Sequence, residues 1–341
     1  MTRPASLVLT LLLFVACAPA ADIGPDDVEA RAEPIAEAQA LSLEQALSEQ
    51  DRLVAAFREG ALGAPDFLTA MAAFADHPDP EAVIGSTRML PFIHAQFPDL
   101  RPGLARHIRR TYGARYRMAR TQDGPDADRL SANLGALMAY EGNDQEARNY
   151  LVRQGSIYLG LDGDDPDLRA TVPGHLLDSA FAATMRARPV AALGPLLALT
   201  KSGTEAERRA AILGLAAVQD DQAAERLLET LMSDDPDLTP SQRQALLSAM
   251  MRNPSQIERA WNGLRDNFES FVDLSVPKPE RGKLPSWTSA FCSVDRANEV
   301  RAFFGSDPGP SQALATALTD IEGCARTRSL QEASLRSALG D

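Results

Sequence analysis

The chain has 341 residues and carries 34 Lys and Arg against 47 Asp and Glu, a formal net charge of −13 with a sequence pI near 4.9. A surface of that sign repels a phosphate backbone and argues against nucleic-acid binding, while 45% apolar and 24% charged residues argue against a disordered chain. Three cysteines are too few for a disulfide scaffold, and four histidines (His77, His94, His107 and His175) are few for a metalloenzyme.

Residues 1–20 read as an export signal: Arg3 supplies the positive start, residues 7–16 are uncharged and apolar, and small residues follow. The apolar stretch is too short to span a bilayer. Two cleavage sites fit. Phe14-Val15-Ala16-Cys17 resembles a bacterial lipobox, with Phe14 where Leu is usual, and makes Cys17 a lipidation candidate. Ala18-Pro19-Ala20 suits ordinary signal peptidase and would release a soluble chain from Ala21. Either route places the body outside the cytoplasm, in the periplasm, and the first would hold it there as a lipoprotein. Residues 21–40 are rich in Ala, Glu and Pro and lack the apolar surface to offset their ordering entropy, so they read as a flexible linker.

From residue 41 to 341 the apolar residues recur at helical spacing, in runs of about 10–18 residues ended by short polar breaks, with no convincing strand alternation. Ser42 with Gln45, Asn143 with Glu146, Thr204 with Glu207, Thr239 with Gln242 and Asn253 with Gln256 have capping-box spacing. Pro80, Pro240 and Pro254 follow capping residues, and Gly60 and Gly142 follow apolar runs as helix stops. Ile212, Leu215 and Val218 form one apolar stripe, and Leu227, Leu228 and Leu231 another. Asp-Asp-Pro-Asp-Leu occurs at residues 164–168 and again at 234–238. Short links between helices of similar length make antiparallel pairs, and a series of more than ten such helices predicts an all-α, curved α-solenoid.

Catalytic signatures are missing. A zinc hydrolase commonly presents H-E-x-x-H on a helix, but no two histidines here fall within five residues of each other. His77, Asp79 and Glu81 could form a dispersed site, yet a loop followed by a helix cap accounts for all three. There is no G-x-S-x-G elbow, phosphate loop or dinucleotide turn. The carboxylates of residues 162–167 could attract calcium, but they lack the periodicity of an EF-hand, and capping explains them as well.

Two features stand out. Seven arginines (Arg101, Arg106, Arg109, Arg110, Arg115, Arg117 and Arg120) occur without an acidic residue among them, a local reversal of sign. Their forks suit carboxylates. Arg106, Arg109 and Arg110, with Tyr112 and Tyr116, are candidate contacts for a peptide or partner, against the plainer reading of a solvated face with tyrosines packed at the core rim. Cys292 and Cys324 are the second feature. In an oxidising compartment, with Cys17 lipidated or removed, they are expected to be bonded to each other.

Several segments also resemble the C-terminal helical domain of zinc aminopeptidases of the aminopeptidase N and endoplasmic-reticulum aminopeptidase type. Ser48-Glu49-Gln50-Asp51-Arg52-Leu53 with Phe57-Arg58-Glu59-Gly60 is similar to that domain's opening helix. Residues 129–147, with Leu134, Leu137, Gly142-Asn143-Asp144 and Ala147, resemble its leucine-rich helix and the break after it. Asn253-Pro254, Ala260-Trp261 and Asn267-Phe268 resemble a further stretch, with Phe268 where Trp is usual. Phe291-Cys292-Ser293, Val300, Phe303-Phe304 and Ile321-Glu322-Gly323-Cys324 look like the tail of exported bacterial members. The resemblance implies a bowl of HEAT/armadillo-like helix pairs that bounds a peptide chamber. It carries over no zinc ligand, because nothing here matches the family's H-E-x-x-H region. The expectation is a non-catalytic protein without a cofactor that binds a peptide or protein partner. The alternatives are an accessory or split subunit of a separately encoded aminopeptidase, and a helical-repeat envelope scaffold.

Overall fold

A computed structural model of the chain describes residues 38–163, 165–233, 238–305 and 311–340. The proposed signal with Cys17, most of the linker, Asp164 and residues 234–237 of the repeated acidic motif lie outside the described residues.

Among the described residues there is no strand. The first helices in chain order are α1 (Leu43–Glu59), α2 (Ala64–Ala72), α3 (Pro80–Gly85), α4 (Leu90–Gln96), α5 (Arg101–Ala119), α6 (Pro125–Tyr140), α7 (Gln145–Tyr158) and α8 (Pro166–Ala170). They are followed by α9 (Leu177–Ala187), α10 (Pro189–Ser202), α11 (Glu205–Ala216), α12 (Asp221–Met232), α13 (Pro240–Met251), α14 (Ile257–Asp266), α15 (Phe268–Ser275), α16 (Val294–Phe304) and α17 (Gln312–Leu339). A 3-10 stretch, Lys278–Thr288, joins α15 to the loop before α16.

Capping chemistry places most of the starts. Ser42, Thr204 and Thr239 form complete capping boxes with Gln45, Glu207 and Gln242, and Pro80 and Pro240 occupy first helical positions. Gly60 ends α1 at φ 78°, a left-handed conformation that costs glycine nothing. Two expected boundaries differ. Asp144, not Asn143, caps α7, because Asn143 takes the left-handed turn at φ 47° and its side chain accepts from Arg148 instead. Asn253 starts no helix: its Nδ2 donates to Ala216 O at 2.7 Å and so holds the end of α11, and α14 begins at Ile257.

Packing runs in series. α7 lies on α9, α9 on α11, α11 on α13 and α13 on α15, while α10, α12 and α14 form a second such row. Two hydrophobic cores result. The first gathers α1 to α7 around Phe57, Phe67, Phe74, Leu104 and Leu134. The second gathers α9 to α16 around Phe181, Leu215, Leu227, Leu231 and Trp261. Trp261 is fully buried against Phe291, Phe303 and Phe304, with centroids 5.2–6.1 Å away, and its indole N–H donates to Glu299 at 3.1 Å.

The last helix belongs to both cores: Leu314 and Ile321 enter the second, Leu335 and Leu339 the first. Its polar side chains also finish the α1–α2 corner. Gln331 Nε2 donates to Phe57 O and Leu62 O, Thr327 Oγ1 to Arg58 O, and Ser334 Oγ accepts from Ala64 N at 2.6 Å. Cys292 and Cys324 are bonded, tying the loop before α16 to the middle of α17.

Candidate functional site

α5 is the most strongly basic helix of an acidic chain, and its two faces differ. Leu104, Ile108, Tyr112 and Tyr116 recur every fourth residue and are buried. Arg106, Arg110 and Arg117 fall on the opposite, exposed face. The tyrosines are therefore core residues rather than groove linings. Tyr112 is 1% exposed and its hydroxyl meets Ser86 Oγ at 3.0 Å; burial pushes its phenol up to about 12. Tyr116 packs against Gly135, where an added Cβ would sit 3.3 Å from its ring, and burial raises it likewise to about 12.

Several arginines of the cluster hold structure. Arg109 donates to Gly142 O at the α6–α7 break, so this predicted contact residue is already engaged by the fold. Arg101 Nε donates to His94 O at 2.9 Å, and Arg115 to His77 O at 3.3 Å. Arg120 pairs with Glu146 at 2.9 Å and lies 4.3 Å from the Tyr150 ring centroid. Arg106, Arg110 and Arg117 form an exposed basic stripe, and Arg106 also interacts within the fold.

A second polar group gathers His94 of α4, Tyr140 and Glu141 at the end of α6, and Arg186 of α9. The Arg186 guanidinium stacks on the Tyr140 ring, 3.8 Å from its centroid, and the Tyr140 hydroxyl donates to Ser179 O at 3.1 Å. Arg186 Nε is buried and, among the described residues, has no hydrogen-bond partner. Burial and the charges of Arg101 and Arg186 hold the His94 imidazole down to about 4, so it is neutral at pH 7. Burial pushes the Glu141 carboxyl up to about 7, with Arg186 and the Glu141 amide only partly opposing it. Sequence reasoning missed Arg186 and Glu141: they are distant along the chain, and neither belongs to a recognisable motif.

The other constellations are structural. His77 is 1% exposed; its Nδ1 accepts from Asp79 N at 3.0 Å, which leaves Nε2–H to donate to Leu41 O at 3.1 Å. Asp79 caps α3 and Glu81 pairs with Arg129, so capping and pairing occupy the residues of the imagined zinc site. In the acidic loop, Asp165 caps α8 and Asp162 pairs with Arg188 at 2.7 Å. Ser131, His175 and Asp128 are connected in the order of a catalytic triad, at 3.3 and 3.4 Å. Ser131 lies inside α6, 7% exposed, and donates its proton to Asp128 O at 3.0 Å, so the hydroxyl serves the helix rather than a substrate. Among the described residues no three His, Cys, Asp or Glu side chains converge as a metal ion would require. No described helix is long and apolar enough to cross a membrane.

The family model described as the ERAP1-like C-terminal domain matches residues 29–323. No curated protein matches the chain. The match covers most of the sequence, and the chain belongs to the ERAP1-like C-terminal domain family.

Proposed function

We propose that this member of the family is a non-catalytic, exported helical bowl that binds acidic peptides, or an acidic partner protein, along the outer row of α5. The observation that carries the reading is the exposed stripe of Arg106, Arg110 and Arg117 in a chain of net charge −13. Guanidinium forks in that row suit carboxylates, and attraction between opposite charges steers encounter. The test is binding of a labelled acidic peptide to the full chain and to a variant with all three arginines changed to Ala. Loss of at least tenfold in affinity, with an equal loss at raised salt, is the expected result. Unchanged affinity removes the basis of the reading.

Export would leave the mature protein in the periplasm, either lipidated at Cys17 or cut after Ala20, which N-terminal analysis of the mature chain distinguishes. Metal analysis together with an aminoacyl chromogenic substrate tests the absence of catalysis: no stoichiometric zinc and no turnover above blank are expected. A second reading draws on the family description, which names a C-terminal domain. The chain would then serve as an accessory subunit of a separately encoded aminopeptidase, and co-purification of a protein bearing H-E-x-x-H would favour it.

A further inference from the structure

On the reading that α5 receives acidic partners, on which this inference rests, we propose that the partner is a second copy of this chain. Its acidic α12 row lies antiparallel along the arginines of α5.

Several exposed acids of the chain are already engaged at home: Glu49 pairs with Arg52 at 2.6 Å, Glu322 with Arg301 at 2.7 Å, and Glu332 with Arg336 at 3.0 Å. Glu225 and Glu229 of α12 differ. Both are exposed, and among the described residues neither side chain has a hydrogen-bond or ion-pair partner. The same holds for Arg110 and Arg117 of α5. Asp221 completes the α12 row; it pairs with Arg259 at 2.6 Å, yet its side chain stays 87% exposed. A basic row and an acidic row thus stand open on separate helices of one chain.

The spacing of the two rows matches. Four residues, about 6 Å of helix, separate Arg106 from Arg110, and the same step separates Asp221 from Glu225 and Glu225 from Glu229. In an antiparallel register Arg106, itself also engaged within the fold, faces Glu229, and Arg110 faces Glu225. Exposed Ala114 leaves room opposite Asp221. Arg117, a turn further on, then reaches the start of α12, where the cap Asp220 stands beside Asp221. A parallel register would carry Arg117 past Met232, the last residue of α12. Arg226 lies about 100° round the helix from Glu225 and flanks the row rather than breaking it. Each face also offers an exposed apolar side chain: Met118 on α5, and Val190 on α10, which packs against α12. Exposed ion pairs are individually weak, so a row of them is needed to hold two such faces together. A chain of net charge −13 repels its copies elsewhere, which makes the one contact of opposite sign selective.

The experiment is sedimentation equilibrium of the full chain from micromolar to near-millimolar concentration, where the wild type should associate reversibly. A variant with Arg106→Glu and Arg110→Glu, and another with Glu225→Arg and Glu229→Arg, should each weaken self-association at least tenfold. Mixing the two restores contacts of opposite charge and should recover association to within threefold of the wild type. A chain carrying all four changes should do the same, and misfolding of either variant cannot imitate that rescue. A wild type that is monomeric at every concentration, association that neither variant weakens, or no recovery among folded proteins would each overturn the proposal. A labelled acidic peptide, tested where the chain is too dilute to associate, should bind a Glu225→Gln, Glu229→Gln variant as tightly as the wild type. A monomeric wild type that still binds the peptide overturns self-association alone; one that binds neither overturns the reading of α5 as well.

Discussion

Replacing Gln331 by Met tests whether the last helix completes the first two. Gln331 is 1% exposed, and its amide nitrogen bonds two carbonyls, Phe57 O and Leu62 O, from a position 274 and 269 residues further along the chain. Met fills nearly the same volume without donors, so the change removes hydrogen bonds and leaves little cavity. Phe57 O keeps the Gly60 N–H at 3.2 Å and loses only its second partner. Leu62 O loses its described partner at a half-buried site, so the two together cost about 1–3 kcal/mol. The readout is native-state hydrogen exchange at the amides of Ala61 and Leu62, which bond Ala56 O at 2.9 and 3.1 Å. A loss of about 2 kcal/mol appears there as roughly thirtyfold faster exchange, at 1.36 kcal/mol per factor of ten. A change of less than threefold in a folded Met variant refutes the idea that α17 carries this corner.

Ser334→Ala removes the acceptor for Ala64 N–H, which the N-cap Gly63 cannot replace, and should cost about 1 kcal/mol in urea unfolding. Trp261→Ala should cost about 3–5 kcal/mol, whereas Trp261→Phe keeps a ring in the cluster, loses the bond to Glu299 and should cost far less; equal losses would contradict the packing account. Reducing Cys292–Cys324, whose cysteines are 32 positions apart, should lower stability by roughly 4 kcal/mol on the chain-entropy model, read as a drop in melting temperature with reductant. His94 and His107 are both held to about 4 by burial and neighbouring arginines, so below pH 6.5 the unfolded chain takes up protons that the folded chain refuses. Their contribution to stability therefore falls as pH drops from 6.5 to 4. Glu141, pushed up to about 7, acts oppositely, losing stability as pH rises from 4.5 to 7. Unfolding midpoints between pH 4 and 8 should thus rise more steeply with pH in Glu141→Gln than in the wild type; parallel curves would contradict the sign.

The helical fold and many helix ends were legible in the sequence because their causes are local. Ser42 and Gln45 make their box within one turn, and the Leu227, Leu228 and Leu231 stripe is buried as its spacing requires. Misreadings arose where a distant partner competed. Asn253 looks like a cap but is drawn to the end of α11, and Arg109 looks like a surface contact but is drawn to Gly142 O. Tyr112 and Tyr116 share a fourth-residue register with Leu104 and Ile108, a signal of burial that agrees with the reading of tyrosines packed at the core rim. The group around Arg186 was illegible, since His94, Glu141 and Arg186 come together only through the packing of separate helices. The acceptor at Ser334 was equally hidden: its partner lies 270 residues away.

That long reach has a consequence for synthesis. A ribosome delivers α1 and α2 some 270 residues before Thr327, Gln331 and Ser334, the groups that seal their corner. The α1–α2 corner must therefore wait, incompletely consolidated, for residues made much later. A premature stop shortly before residue 327 would spare nearly every other described helix and still leave the α1–α2 corner unfinished.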